Sequence, residues 1–199
     1  MVGHPLFTTE PLSWEAPPGG FDALLLGSAA AIRHGGPALA RYAGLPVFAV
    51  GEATAAAARE AGFTVERTGV GGLQALLDAD AGVPRHYLRL GGEERVTLSP
   101  HRGQAITERT VYRLGTVPLS PDFVRDLSER HPLVALHSAA AARHFAAEID
   151  RHGIARGHLS LIAIGPRVAK PAGSGWAALH LADRPHDAAL LAKAATLCK

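Results

Sequence analysis

The sequence predicts an α/β protein built as two related lobes, and three observations carry that prediction. Short apolar runs alternate with alanine-rich segments along most of the chain, the order expected of parallel strands joined by helices. The order then repeats. FDALLLGSAAAIRH at Phe21–His34 parallels PLVALHSAAAARHF at Pro132–Phe145, and VFAVGEATAAAA at Val47–Ala58 parallels LIAIGPRVAKPA at Leu161–Ala172, with a nearly constant offset. Finally, His4–Ala16 and Ala105–Leu114 are polar enough for exposed strands, the second alternating as a strand with one wet face does, and the two are suited to pairing as a ladder between lobes. The expected division is a connector strand over 1–19, a first lobe over 20–104, a second connector strand over 105–118 and a second lobe over 119–199.

In chain order, Pro17–Gly20 punctuates the opening segment, and Phe21–Leu26 is the first buried strand. A short helix from Ala29 is interrupted at His34–Pro37 before a second segment, Ala38–Ala43. Val47–Val50 suits a strand covered on both faces, and Gly51 turns the chain into a helix over Ala53–Ala61 that Gly62 stops. A strand at Thr64–Arg67, a helix at Leu73–Ala79 and a strand at His86–Leu90, closed by Gly91 and Gly92, follow. Beyond the second connector, Ser120 and Pro121 open a helix to Arg130. Strands at Leu133–Leu136, Leu159–Ile164 and Ala177–Leu181 then alternate with helices to about His152, up to Pro171 or Gly173, and over Asp187–Leu197.

With 199 residues the chain can bury a real core, and 47% hydrophobic with 19% charged residues is an ordinary globular balance. Twenty basic against eighteen acidic residues is too even for a dedicated nucleic-acid binder. The single Cys198 excludes an internal disulfide and suits a reducing compartment. No apolar run approaches a membrane span and the N-terminus lacks the pattern of a signal peptide, so a cytoplasmic location is expected. The eleven histidines form no HExxH or other tight ligand pair, and no metal site is expected.

The chemistry-bearing positions sit at the turns. Ser28, Gly51, Ser138 and Gly165 each follow a strand and precede a helix, and Thr54 lies in a first helical turn, where free backbone N–H groups favour an anion. Ligands bind outside the carboxyl ends of strands in such sheets. Facing lobes would hold a large, multiply anionic ligand by backbone N–H groups and hydroxyls. The same residues serve equally as helix caps and turns with nothing bound.

PVFAVGEATAAAAREAGF at Pro46–Phe63, LRLGGEERVTL at Leu88–Leu98, ITERTVYRL at Ile106–Leu114, the Ser138 turn and IGPRVA at Ile164–Ala169 together resemble uroporphyrinogen-III synthase, in order and over almost the whole chain. The resemblance implies two flavodoxin-like lobes joined by a two-stranded ladder. It implies a cofactor-free hydro-lyase that closes linear hydroxymethylbilane to uroporphyrinogen III with loss of water and inversion of the terminal ring, acting as a monomer on a small molecule. Tyr112 matches the tyrosine of the VYR motif and would assist departure of the hydroxyl. Ser28, Gly51, Thr54, Ser138 and Gly165 would bind substrate. Arg89, Arg95 and Arg113 would add charge around a polyanion, or stand as solvated surface residues.

Three departures accompany the resemblance. Gly27 and Val168 stand where the family often has threonine, and Met1 falls where the family has finished its first strand and helix, so the second lobe is expected to lack both. A truncated chain or a mis-set start codon would explain the last. The alternatives are a two-lobed binding module for an anionic metabolite, without turnover, and a lapsed relative of the enzyme.

Overall fold

The computed structural model describes residues 2–198. They form two compact units: one runs continuously over Thr9–Gly115, and the other combines the residues up to Thr8 with those from Thr116 onward.

A six-stranded sheet in the order β1-β6-β5-β2-β3-β4 organises the continuous unit. Its strands are β1 (Phe7–Pro11), β2 (Ala23–Leu26), β3 (Val47–Val50), β4 (Val65–Gly69), β5 (Arg85–Gly92) and β6 (Gln104–Thr116), and its helices are α1 (Ala29–Arg33), α2 (Glu52–Glu60) and α3 (Leu73–Ala79). All four residues of β2 are buried because parallel strands β3 and β5 flank it and both faces are covered. Leu24 and Leu26 pack with Ala31, Ala55 and Ala58 of α1 and α2. Ala23 and Leu25 point the other way, to Leu73, Leu76 and Leu77 of α3. The alanines matter here, since a helix without bulky side chains can lie close on the sheet.

β5 and β6 are adjacent and parallel, a connection that usually carries a helix. In this chain residues 93–103 cross without one, and Leu98 packs on the α3 side of the sheet in its place. β6 is long enough to serve two partners. It pairs with β5 from Gln104 to Tyr112, and it forms an antiparallel ladder with β1 in which Leu12 N donates to Val111 O and Val117 N to Leu6 O, both at 2.9 Å.

The second unit is built on a parallel sheet in the order β7-β8-β9, with β7 (Leu133–Leu136), β8 (Ser160–Ala163) and β9 (Ala178–Leu181). Its helices are α4 (Pro121–Arg130), α5 (Ala139–Arg151), α6 (Pro166–Ala172) and α7 (Asp187–Leu197). Ser120 caps α4 by accepting from Phe123 N, and His131 ends it in the left-handed conformation at φ 46°. A 3-10 turn at Arg156–His158, which the sequence pattern did not predict, leads into β8. Glu148 of α5 is buried; it accepts from Leu119 N at 2.9 Å and pairs with Arg151 at 2.7 Å. The Arg151 bond, reinforced by that backbone N–H, holds its carboxyl at about 2, well below the ordinary value. Among the described residues, β7 has a ladder with β8 alone, and no helix is long and apolar enough to cross a membrane.

Candidate functional site

In the continuous unit the chain runs from β2 through β3 to β4 on one side and then returns to place β5 on the other side of β2. The order reverses at β2, and ligands bind outside the carboxyl strand ends at such a point. Ser28 stands there, just after β2, in extended conformation, and its Oγ accepts from Ala30 N at 3.2 Å to cap α1. A threonine at the preceding position would crowd Leu73, whose Cδ1 lies 3.3 Å from where a Cβ on Gly27 would be. Gly51 follows β3 at φ 75°, a conformation that favours glycine, although a Cβ there would meet open space. Thr54 is the third residue of α2 and is only 4% exposed.

Tyr112 is set apart by what its hydroxyl does not do. The chain has three tyrosines. Tyr42 donates to Pro17 O at 3.0 Å. Tyr87 is fully buried and donates to Asp80, and desolvation together with that bond pushes its phenol well above the ordinary range. The half-buried Tyr112 phenol makes no hydrogen bond among the described residues, which leaves it the tyrosine able to address a ligand.

The setting of Tyr112 was not visible in the sequence. The β5–β6 register shifts between Gly91 and Gly92, so that Gly91 opposes Thr110 and Gly92 opposes Tyr112. This bulge leaves Val111 as the extra residue, and Val111 and Tyr112 both pack against the same cluster, on the α1 side. There the Tyr112 ring meets His34, with ring centres 6.1 Å apart, and His34 Nε2 shares a 2.7 Å hydrogen bond with Thr9 Oγ1. Ser28 opens α1 and His34 closes it. A five-residue helix is about 7.5 Å long, which sets the scale of this site.

The arginines are already engaged. Arg89, expected at the surface if not on a ligand, is 3% exposed and donates to Glu108 Oε1 at 2.6 Å and Val96 O at 2.9 Å. Arg95 shares Glu108 at 3.3 Å and donates to Thr110, and Arg113 pairs with Glu10 at 2.8 Å. A cavity of about 440 Å³ lined by Arg95, Leu98, Ile106 and Glu108 lies on the α3 side of the sheet, opposite Tyr112. Two of its walls, Arg95 and Glu108, pair with each other at 3.3 Å.

The second unit repeats the turn geometry with different side chains. Ser138 follows β7, is exposed, and accepts from Ala141 N at 3.1 Å to cap α5. Gly165 follows β8 and caps α6 at φ −179°, extended backbone open to any residue. Val168, third in α6 as Thr54 is third in α2, is buried at 8%. Beside Ser138, His137 Nε2 bonds Asp187 Oδ1 at 2.7 Å, so this turn carries an acid that the sequence pattern did not bring to notice. Among the described residues, no group of three or more His, Cys, Asp or Glu is placed to hold a metal ion.

The fold has solved counterparts. Uroporphyrinogen-III synthetase from Helicobacter pylori matches 96% of this chain and 91% of its own at TM-score 0.65 and 20% identity, a likeness of fold. A mutant uroporphyrinogen III synthase from Thermus thermophilus matches over 97% and 88% of the two chains, at TM-score 0.44 and 16% identity. No curated protein is similar enough to count as a match. The family model for uroporphyrinogen-III synthase HemD matches residues 4–192, nearly the whole length, and the chain therefore belongs to the uroporphyrinogen-III synthase HemD family.

Proposed function

We propose that the protein closes hydroxymethylbilane to uroporphyrinogen III, inverting the terminal ring and releasing water, as a cytoplasmic monomer without a cofactor. Family membership over residues 4–192 is the observation that carries this reading. The Tyr112 phenol, which has no hydrogen-bond partner among the described residues, supports it, because a phenol can donate a proton to the departing hydroxyl. The Tyr112 hydroxyl protonates the leaving oxygen while the adjacent pyrrole nitrogen pushes out the C–O bond, giving water and an azafulvenium cation. The terminal ring then attacks the cation through its substituted carbon to give a spiro intermediate; the older bond from that carbon to its bridging carbon breaks and re-forms at the ring's free carbon, whose proton is lost and restores the Tyr112 phenol.

Little strong acid or base is needed; the harder task is to hold a flexible polycarboxylate so that this closure outruns the spontaneous one at the free carbon. Ser28, Gly51, Thr54, Ser138 and Gly165, each at or near a helix start, are the residues we assign to the substrate carboxylates, through hydroxyls and N–H groups. Purified protein coupled to a source of hydroxymethylbilane is expected to yield the III isomer. Formation of the I isomer alone, at the spontaneous rate, would reject the reading.

A further inference from the structure

We propose that Gly92 is a positioning residue for Tyr112: its missing side chain is the seat on which the phenol rests. A Cβ added at Gly92 would stand 2.8 Å from Tyr112 Cε2 and 2.9 Å from Cζ, distances that real Cβ atoms do not sustain, and 3.2 Å from the hydroxyl oxygen, tighter than nearly all of them show. The demand is for space alone. Gly92 is buried and outside the left-handed region, so its backbone would accept any residue. Its neighbour Gly91 shares that freedom and has nothing within 4 Å of its own virtual Cβ. One glycine of the pair is therefore needed for the ring and the other is not.

The bulge explains why the seat falls at this place. In an unshifted ladder Gly92 would oppose Val111, and Tyr112 would point to the α3 face along with Thr110 and Glu108. The extra residue turns Tyr112 to the α1 face and lays its ring across Gly92, with the Thr9–His34 pair beside it. The ring is held by the backbone beneath and His34 alongside, and its hydroxyl has no hydrogen-bond partner among the described residues.

This inference rests on Tyr112 acting on substrate, and the experiment separates the two. Four variants are compared for kcat, KM and thermal midpoint: Tyr112→Phe, Gly91→Ala, Gly92→Ala and the double variant Gly92→Ala with Tyr112→Phe. Gly92→Ala is expected to lower kcat at least tenfold with KM little changed, Gly91→Ala to stay within twofold of the parent, and the double variant to be no worse than Tyr112→Phe alone. The NMR signal of 13Cζ-labelled Tyr112 should move in Gly92→Ala and not in Gly91→Ala. Full activity in Tyr112→Phe would sink the role of Tyr112. Loss in Tyr112→Phe with Gly92→Ala matching Gly91→Ala, or an unmoved Tyr112 signal, would overturn the role of Gly92. If Gly92→Ala does not fold, adding Tyr112→Ala removes the obstructing ring and should restore folding; failure to do so also overturns the proposal.

Discussion

β2 and β7 are written almost alike, ALLL and LVAL, and each is followed by a serine-capped helix. Yet every residue of β2 is buried, whereas Leu133, Val134 and Ala135 of β7 are only partly so. The difference lies in the neighbours. β2 has a parallel strand on each side, and β7 has one on β8's side only among the described residues. Four apolar residues in a row thus establish a strand, but how deeply it is buried is decided by segments far away in sequence.

The strongest test of that contrast is truncation. Leu25→Ala in β2 is expected to cost about 2–5 kcal/mol, and Val134→Ala in β7 under about 1.5 kcal/mol, read from urea denaturation followed by circular dichroism. Equal losses would mean that β7 is as central to its core as β2 is. Next in size is Glu148, whose charge-assisted bonds tie α5 to Leu119 and Arg151 and have no counterpart in the α1 turn of the other unit. Bonds of this kind contribute roughly 1.5–3 kcal/mol. Because its folded pKa of about 2 lies below the ordinary 4.5, the stabilisation is full above pH 4.5 and is lost as pH falls towards 2. Glu148→Gln should therefore be less stable than the parent at pH 7 and converge with it near pH 2. Parallel stability curves down to that pH would contradict the assignment.

The helix-start pair Thr54 and Val168 gives smaller effects of opposite kind. Thr54→Val is expected to lower turnover several-fold with stability nearly unchanged, while Val168→Thr, placing a hydroxyl in a packed site, should cost about 1–2 kcal/mol. A gain in turnover from Val168→Thr would show that the hydroxyl is missed in the second unit. Smallest are the caps. Ser138→Ala is expected to lower stability by about 1 kcal/mol, since it leaves a 13-residue helix uncapped, and Ser28→Ala by less, since α1 has five residues. Calorimetric midpoints would rank them.

Local chemistry made much of this fold legible. β3, β7, α3, α4 and α7 begin and end where apolar runs, prolines and caps place them, and the early stop of α1 is written in the His34-Gly35-Gly36-Pro37 sequence. The pairing of the two polar strands was legible from their shared polarity. Harder to see was anything set by register. Arg89 looks like a surface residue on its own strand and is buried because Glu108 lies directly opposite on β6. The seat of Tyr112 depends on one shifted pair between strands whose glycine and tyrosine are twenty residues apart, which no local pattern encodes. The sequence reading placed no helix at 93–103, and none is there; that the strands on either side of it are parallel neighbours was not legible.

The continuity of one unit and the discontinuity of the other also bear on synthesis. Every residue of Thr9–Gly115 is synthesised before β7, so that unit can fold while the later segments of the other unit are still being made. Leu6 and Phe7 precede that unit in the chain, and their contacts with Val117 and His144 form only once those later residues have arrived. The vectorial order of translation thus gives the inserted unit a head start over the unit assembled from two separated segments.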